Sequence, residues 1–154
     1  MLPVTDIYGY CLLPNHFHLI IKIKDKELLP QRIKEGGTSL HQPFSNMFNA
    51  YTKAINKRYQ RTGSLFQKSL KRIKIEEERY LRNLIVYVNT NPSHHSIADF
   101  ESYKFSSYQD IILKNFYLLG KSVIELFDDK ENFVYQHQIK SRNISTKKFL
   151  LDDE

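Results

Sequence analysis

Pro14-Asn15 stands between two strand-like runs and dictates how the first part of the chain can be built. Proline offers no amide hydrogen to a sheet ladder, and both residues favour a reversal of direction. Ile7 to Leu13 and His16 to Ile23 are therefore expected to form a hairpin. Because strand side chains alternate between faces, Phe17, Leu19, Ile21 and Ile23 share one face and His16, His18, Ile20 and Lys22 the other. Two imidazoles two residues apart project to one side at a separation suited to chelating a single ion, with Phe17 expected to anchor the strand in the core. Unprotonated imidazole is a common metal ligand at neutral pH. Two ordinary strand histidines give the same pattern.

Downstream, Lys24 to Gln42 reads as a connection containing Pro30, Gly36-Gly37 and a short helix at Leu28 to Lys34. From Pro43, the three- and four-residue spacing of Phe44, Phe48, Tyr51, Ile55 and Tyr59 predicts an amphipathic helix, with Gly63 as a left-handed cap. Alternation in Ser64 to Ile75 suggests a third strand. Glu76, Glu77 and Glu78 suit the positive end of a helix dipole, and Leu81, Leu84, Ile85 and Val88 form that helix's buried stripe until Pro92 limits it. Tyr87 and Asn91 lie on it one turn apart. A phenol of pKa ~10 is a weak nucleophile unless its proton is removed or a metal polarises the phosphate under attack. Core packing is the plainer role for Tyr87. Gly120 to Phe127 and Glu131 to Ile139 read as short helices, and Lys140 to Glu154 as a polar tail.

The formal charge of +6 is unevenly spread. Between Gly36 and Ile75 there are eight Lys and Arg residues and no Asp or Glu, whereas the remainder holds 15 basic and 17 acidic residues. Lys53, Lys57 and Arg61 follow one another at four-residue steps, joined by Arg58, Lys68, Lys71 and Arg72. Such a stripe can track a phosphate backbone while Tyr51, Tyr59 or Phe66 stacks on unpaired bases. A solvated face backed by core aromatics is the other reading. Cys11 is the one cysteine, so no internal disulfide forms; this fits a reducing cytoplasm, and packing is its expected role. Neither a membrane-length apolar run nor a signal-like start is visible, so a soluble, cytoplasmic protein without membrane association is expected. His94-His95 reads as a solvated loop pair, and His41 and His137 carry no signal of their own.

Leu13-Pro14-Asn15-His16-Phe17-His18-Leu19-Ile20-Ile21 resembles the histidine-hydrophobe-histidine (HUH) signature of the single-tyrosine transposases. YTKAINKRYQRTGSLF, from Tyr51 to Phe66 and followed by Gln67, resembles that family's basic helix and Gly-x-Leu-Phe/Trp-Gln turn. Tyr80-Leu81, Tyr87-Val88-Asn89-Thr90-Asn91-Pro92 and Ser106-Ser107-Tyr108 match further blocks in the same order. The similarity covers about residues 7 to 112 and is strongest to the REP-associated tyrosine transposases. It implies an α+β, ferredoxin-like antiparallel sheet with packed helices, in which the histidine strand faces the tyrosine helix. His16, His18 and Asn91 would bind Mg²⁺ or Mn²⁺, and Tyr87 would attack single-stranded DNA carrying a hairpin, leaving a 5′-phosphotyrosine that later rejoins.

Relatives in that family place another strand and helix before the segment that begins here at Ile7. Residues 1–112 are thus read as an N-terminally truncated transposase catalytic domain, and 113–154 as a helical extension and polar tail. A homodimer is compatible with this reading. The alternative is a non-catalytic module, a decayed or domesticated relative that grips hairpin nucleic acid through Lys53, Lys57 and Arg61. A structural zinc site on His16, His18, His94 and His95 is a third reading, disfavoured because Cys11 is the only thiolate. Tyr80 competes with Tyr87 as nucleophile but lacks a following Asn and Pro.

Overall fold

The computed structural model of the chain describes residues 3–66, 70–113 and 122–143. It is α+β. Strands β1 (Thr5–Leu12) and β2 (Phe17–Ile23) pair as a hairpin closed by the Leu13 amide donating to the His16 carbonyl at 2.9 Å. A 3₁₀ turn at Lys26–Leu28 and the helices α1 (Gln31–Lys34), α2 (Gln42–Arg58), α3 (Glu78–His94), α4 (Ser107–Ile112), α5 (Ser122–Glu125) and α6 (Lys130–Asn143) follow. No helix among the described residues is long and apolar enough to cross a membrane. Residues 144–154, where most of the polar tail was expected, lie outside the described set; α6 reaches Asn143, beyond the expected end of its helix.

The chain divides into two compact units: residues 1–6 with 22–74, and residues 7–21 with 75–154. In the first, α2 begins at Gln42 with Pro43 in its opening turn, where the missing amide hydrogen is not needed. Its apolar positions keep the helical spacing, yet no α2 residue is buried. Phe48 and Tyr51 instead pack on Phe66, with ring centroids at 5.1 and 6.4 Å. The helix stops at Arg58, and the left-handed residue that turns the chain is Gln60 (φ 50°), ahead of Gly63 (φ 87°). Asn56 ties this turn down through its side-chain amide, donating to the Gly63 carbonyl at 2.8 Å.

The third strand expected within Ser64 to Ile75 is not formed among the described residues. Leu70 to Ile75 has no regular structure, and Leu70 and Ile73 are exposed. Alternation makes a segment competent for a ladder, but a strand exists only where a neighbouring backbone pairs with it.

The second unit is organised around α3. Every residue from Leu84 to Pro92 is buried, so this stretch is covered on all sides. Ile20 of β2 and Cys11 and Leu13 of the first strand and its turn belong to the same core as Leu84, Ile85 and Val88, together with Phe100, Tyr108, Phe127 and Phe133. Ile20 shares the face of the histidines, so that face, rather than the one bearing Phe17, turns toward the core; Phe17 is only half-buried. Pro92 does not end α3, which continues to His94. Proline deletes one amide hydrogen, here near the last turn, and the helix closes beyond it with the His95 amide bonding the Asn91 carbonyl at 3.0 Å.

Burial of α3 also forces its polar residues to find partners. Asn89 accepts from the Ser107 hydroxyl at 2.5 Å through Oδ1 and donates through Nδ2 to His137 Nε2 at 3.1 Å. His137 Nδ1–H donates to the Phe133 carbonyl at 2.7 Å, and Ser107 Oγ accepts the Tyr10 amide at 3.0 Å. These bonds join β1, α3, α4 and α6, and they require a neutral His137 whose Nε2 accepts. Burial lowers the His137 pKa from 6.5 to about 4, with the Phe133 carbonyl opposing the shift and Lys140 adding to it.

The depressed value means that the unfolded chain binds the proton first. Stability from His137 is therefore complete above pH 6.5 and is lost as pH falls toward 4, by ~3 kcal/mol in all. Denaturant unfolding across this window should show the loss in the parent. In His137→Gln the same pH interval should be flatter by a comparable amount; parallel curves would refute the assignment.

Candidate metal and nucleophile site

His16 precedes β2 and His18 lies within it, and their rings meet edge to face with centroids 5.1 Å apart. The His18 ring lies 6.1 Å from that of Tyr87, centroid to centroid. Strand and helix thus bring together residues some 70 positions apart in sequence. Tyr87 is only 7 % exposed, so packing fixes its ring. On its other side His94, two turns further along α3, stacks on it at 6.4 Å with planes 19° apart. Tyr80, two turns earlier on α3, is partly buried against the core.

Asn91 follows Tyr87 by one turn and is fully buried. Neither its carbonyl oxygen nor its amide nitrogen has a hydrogen-bond partner among the described residues. An unsatisfied buried amide costs about 1–3 kcal/mol. Thr90, beside it, is fully provided for: its hydroxyl donates to the Val86 carbonyl at 2.8 Å and lies 3.2 Å from His94 Nε2. Since the hydroxyl proton is used, His94 Nε2 carries the hydrogen in that contact. Burial, and secondarily the charge of His95, hold the His94 pKa below the usual histidine value.

The adjacent histidines diverge: His94 meets Thr90 and Tyr87, while His95 is exposed and its ring lies 5.4 Å from that of His16. They close α3 instead of occupying a loop, because the helix runs through Pro92. Proximity of the pair to the site was not legible in the sequence, although their spacing from Tyr87 on one helix was the available signal. The arrangement does not gather the four histidines expected of a zinc site around one point. Among the described residues no group of three or more His, Cys, Asp or Glu side chains is placed to hold a metal ion; the two strand imidazoles are the pair that the structure brings together.

The spacing of the two imidazoles is that of two ligands sharing one divalent ion. Two imidazoles bound through nitrogens at ~2 Å to one ion hold their ring centres about 5 Å apart, close to the separation of His16 and His18. Nε2 of each ring is buried. Cys11 contributes nothing comparable: burial raises its pKa to about 12, leaving a protonated packing residue.

The basic residues belong to the first unit. Lys53, Lys57 and Arg58 are exposed on α2, Arg61 follows its end, and Lys71 and Arg72 are exposed on the segment before α3; Lys68, with Gln67, lies outside the described residues. Arg61 therefore does not extend the helical stripe of Lys53 and Lys57. Of the aromatic candidates, Tyr51 and Tyr59 are exposed, whereas Phe66 is occupied by Phe48 and Tyr51. Arg58 sits over the Tyr59 ring at 5.8 Å.

Replacing Asn91 by Leu, which has similar volume and no polar atoms, should raise the metal-free unfolding free energy by about 1 kcal/mol or more. Chemical denaturation in chelator reads this directly, and an unchanged or lower value would mean that the amide is satisfied in solution. No protein-family model, curated protein or solved structure matches the chain.

Proposed function

We propose that the chain is a metal-dependent, single-tyrosine DNA transposase of the HUH type, acting on single-stranded DNA that carries a hairpin. The observation that carries this reading is the approach of the His18 ring to the Tyr87 ring at 6.1 Å, with the unpartnered Asn91 amide one turn along the same helix. The sequence similarity to REP-associated tyrosine transposases supports it, and the hairpin beside α3 fits a ferredoxin-like arrangement.

His16, His18 and Asn91 are the residues that would hold Mg²⁺ or Mn²⁺. When bound, the ion supplies charge neutralisation at the scissile phosphate. The chain's own part is positional: Tyr87, fixed by packing between His18 and His94, presents one phenol oxygen to phosphorus without a large entropic cost at the moment of attack. As the phenol loses its proton and its oxygen bonds to phosphorus, the bond from phosphorus to the 3′ oxygen breaks and that oxygen takes up a proton. The products are a 5′-phosphotyrosine and a free 3′-hydroxyl. Reversal with a 3′-hydroxyl rejoins the strand without a nucleotide cofactor, because one phosphodiester is exchanged for another.

Lys53, Lys57, Arg58, Arg61, Lys68, Lys71 and Arg72 supply counter-charge for the phosphate backbone, and the exposed Tyr51 and Tyr59 offer stacking surface. The competing assignment, a binding module without chemistry, shares this charge and differs in forming no covalent adduct and in binding equally well with or without metal.

Incubation with a labelled single-stranded hairpin oligonucleotide and Mn²⁺, followed by denaturing electrophoresis, should give a covalent protein–DNA band. Tyr87→Phe should abolish it, and His16→Ala should reduce its rate ~10³-fold or more. Cleavage that survives Tyr87→Phe refutes the assignment, and tight hairpin binding with no adduct identifies the binding module. In a salt titration of hairpin affinity, Lys53→Ala with Lys57→Ala should reduce the slope of log affinity against log salt by ~1.4. An unchanged slope would remove these lysines from the interface.

A further inference from the structure

Asn15 lies exposed in the turn before β2, and its side-chain oxygen Oδ1 is 2.8 Å from Nδ1 of His16. A carboxamide oxygen can only accept, so the ring nitrogen facing it carries the hydrogen. The His16 imidazole is thereby held as the Nδ1–H tautomer, with its lone pair on the buried Nε2. We propose that Asn15 is a positioning residue: it selects the tautomer and ring orientation of His16 so that Nε2 is the donor offered to a divalent cation. The proposal rests on the metal-dependent reading above and adds to it a residue that acts through His16 and is not itself a ligand.

The physical reason is specific to imidazole. A neutral ring carries one proton shared between two nitrogens, and in the Nε2–H form that proton occupies the direction in which an ion would bind. An outer acceptor on Nδ1 removes this competition and also stops the ring from turning. Such outer acceptors are worth about 10- to 100-fold in metal affinity. The backbone at Asn15 is not in the left-handed region, so an alanine there adopts the same turn without strain. Asn15→Asp keeps both the turn preference and an oxygen that accepts Nδ1–H.

The test uses the whole chain, labelled with ¹⁵N in its histidine rings. Nitrogen shifts of His16, assigned by their loss in His16→Gln, report the tautomer in metal-free protein. Electron paramagnetic resonance of free Mn²⁺ gives the affinity. In the parent, His16 should be protonated on Nδ1. Asn15→Ala should shift it toward the Nε2–H form and weaken Mn²⁺ binding about 10- to 100-fold, and Asn15→Asp should restore both. Unchanged tautomer and affinity in Asn15→Ala would overturn the role of Asn15 and leave the metal site standing. A parent protein that takes up no Mn²⁺ would overturn the metal-dependent reading itself and the proposal with it.

Discussion

Burial of α3 from Leu84 to Pro92 on every side is the constraint from which the second unit is built. A helix covered all round must meet neighbours in several directions, and here the core joins it to Ile20 of β2, to Tyr108 and Ile111 of α4, and to Phe133 of α6. The same burial keeps bulk solvent from polar side chains, so an unpartnered one carries a cost. Asn89 finds Ser107 and His137, and Thr90 finds the Val86 carbonyl and His94. Asn91 is left out, with both ends of its amide unpartnered among the described residues. Three successive polar residues on one helix therefore report three different surroundings.

The two satisfied residues explain how the third is held. Asn89 is clamped between α4 and α6, which fixes the rotation of α3 about its axis; one turn of that helix then sets where Tyr87 and Asn91 point. His137 is part of this clamp. It stands alone in the sequence among ordinary residues, and it became structural because it sits inside a cluster of Phe100, Tyr108, Phe127 and Phe133, with the Phe133 ring centroid 4.1 Å away. A neutral imidazole, donating at one edge and accepting at the other, bridges a helix carbonyl and an amide in a way no aliphatic side chain could.

Opposite α3, the histidines are carried by a strand end, a different mechanical element. His18 is within the ladder and fixed by it, whereas His16 precedes the ladder and takes its orientation from the turn, through Asn15. Ile20 on the same face anchors both by entering the core. The unpartnered Asn91 amide lies one turn of α3 beyond Tyr87, whose ring approaches that of His18.

Much of this was legible from the residues alone. Pro14-Asn15 announced the hairpin, alternation placed His16 and His18 on a shared face, and helical spacing placed Tyr87 and Asn91 one turn apart, because these relations depend on backbone geometry within a few residues. Relations between distant segments had no such local determinant. The core-facing side of β2 was misread through Phe17, since both faces carry apolar residues and only the position of α3 decides between them. The strand anticipated near Ile75 is not formed among the described residues, Pro92 was absorbed by a helix close to its end, and His94, His95 and His137 acquired neighbours that their sequence surroundings do not reveal. The sequence by itself determined which residues share a face or a turn, through the fixed periods of strand and helix. Which face met which, and which buried polar atoms went without partners, was decided only by tertiary packing, because burial and hydrogen-bond satisfaction depend on groups brought together from across the chain.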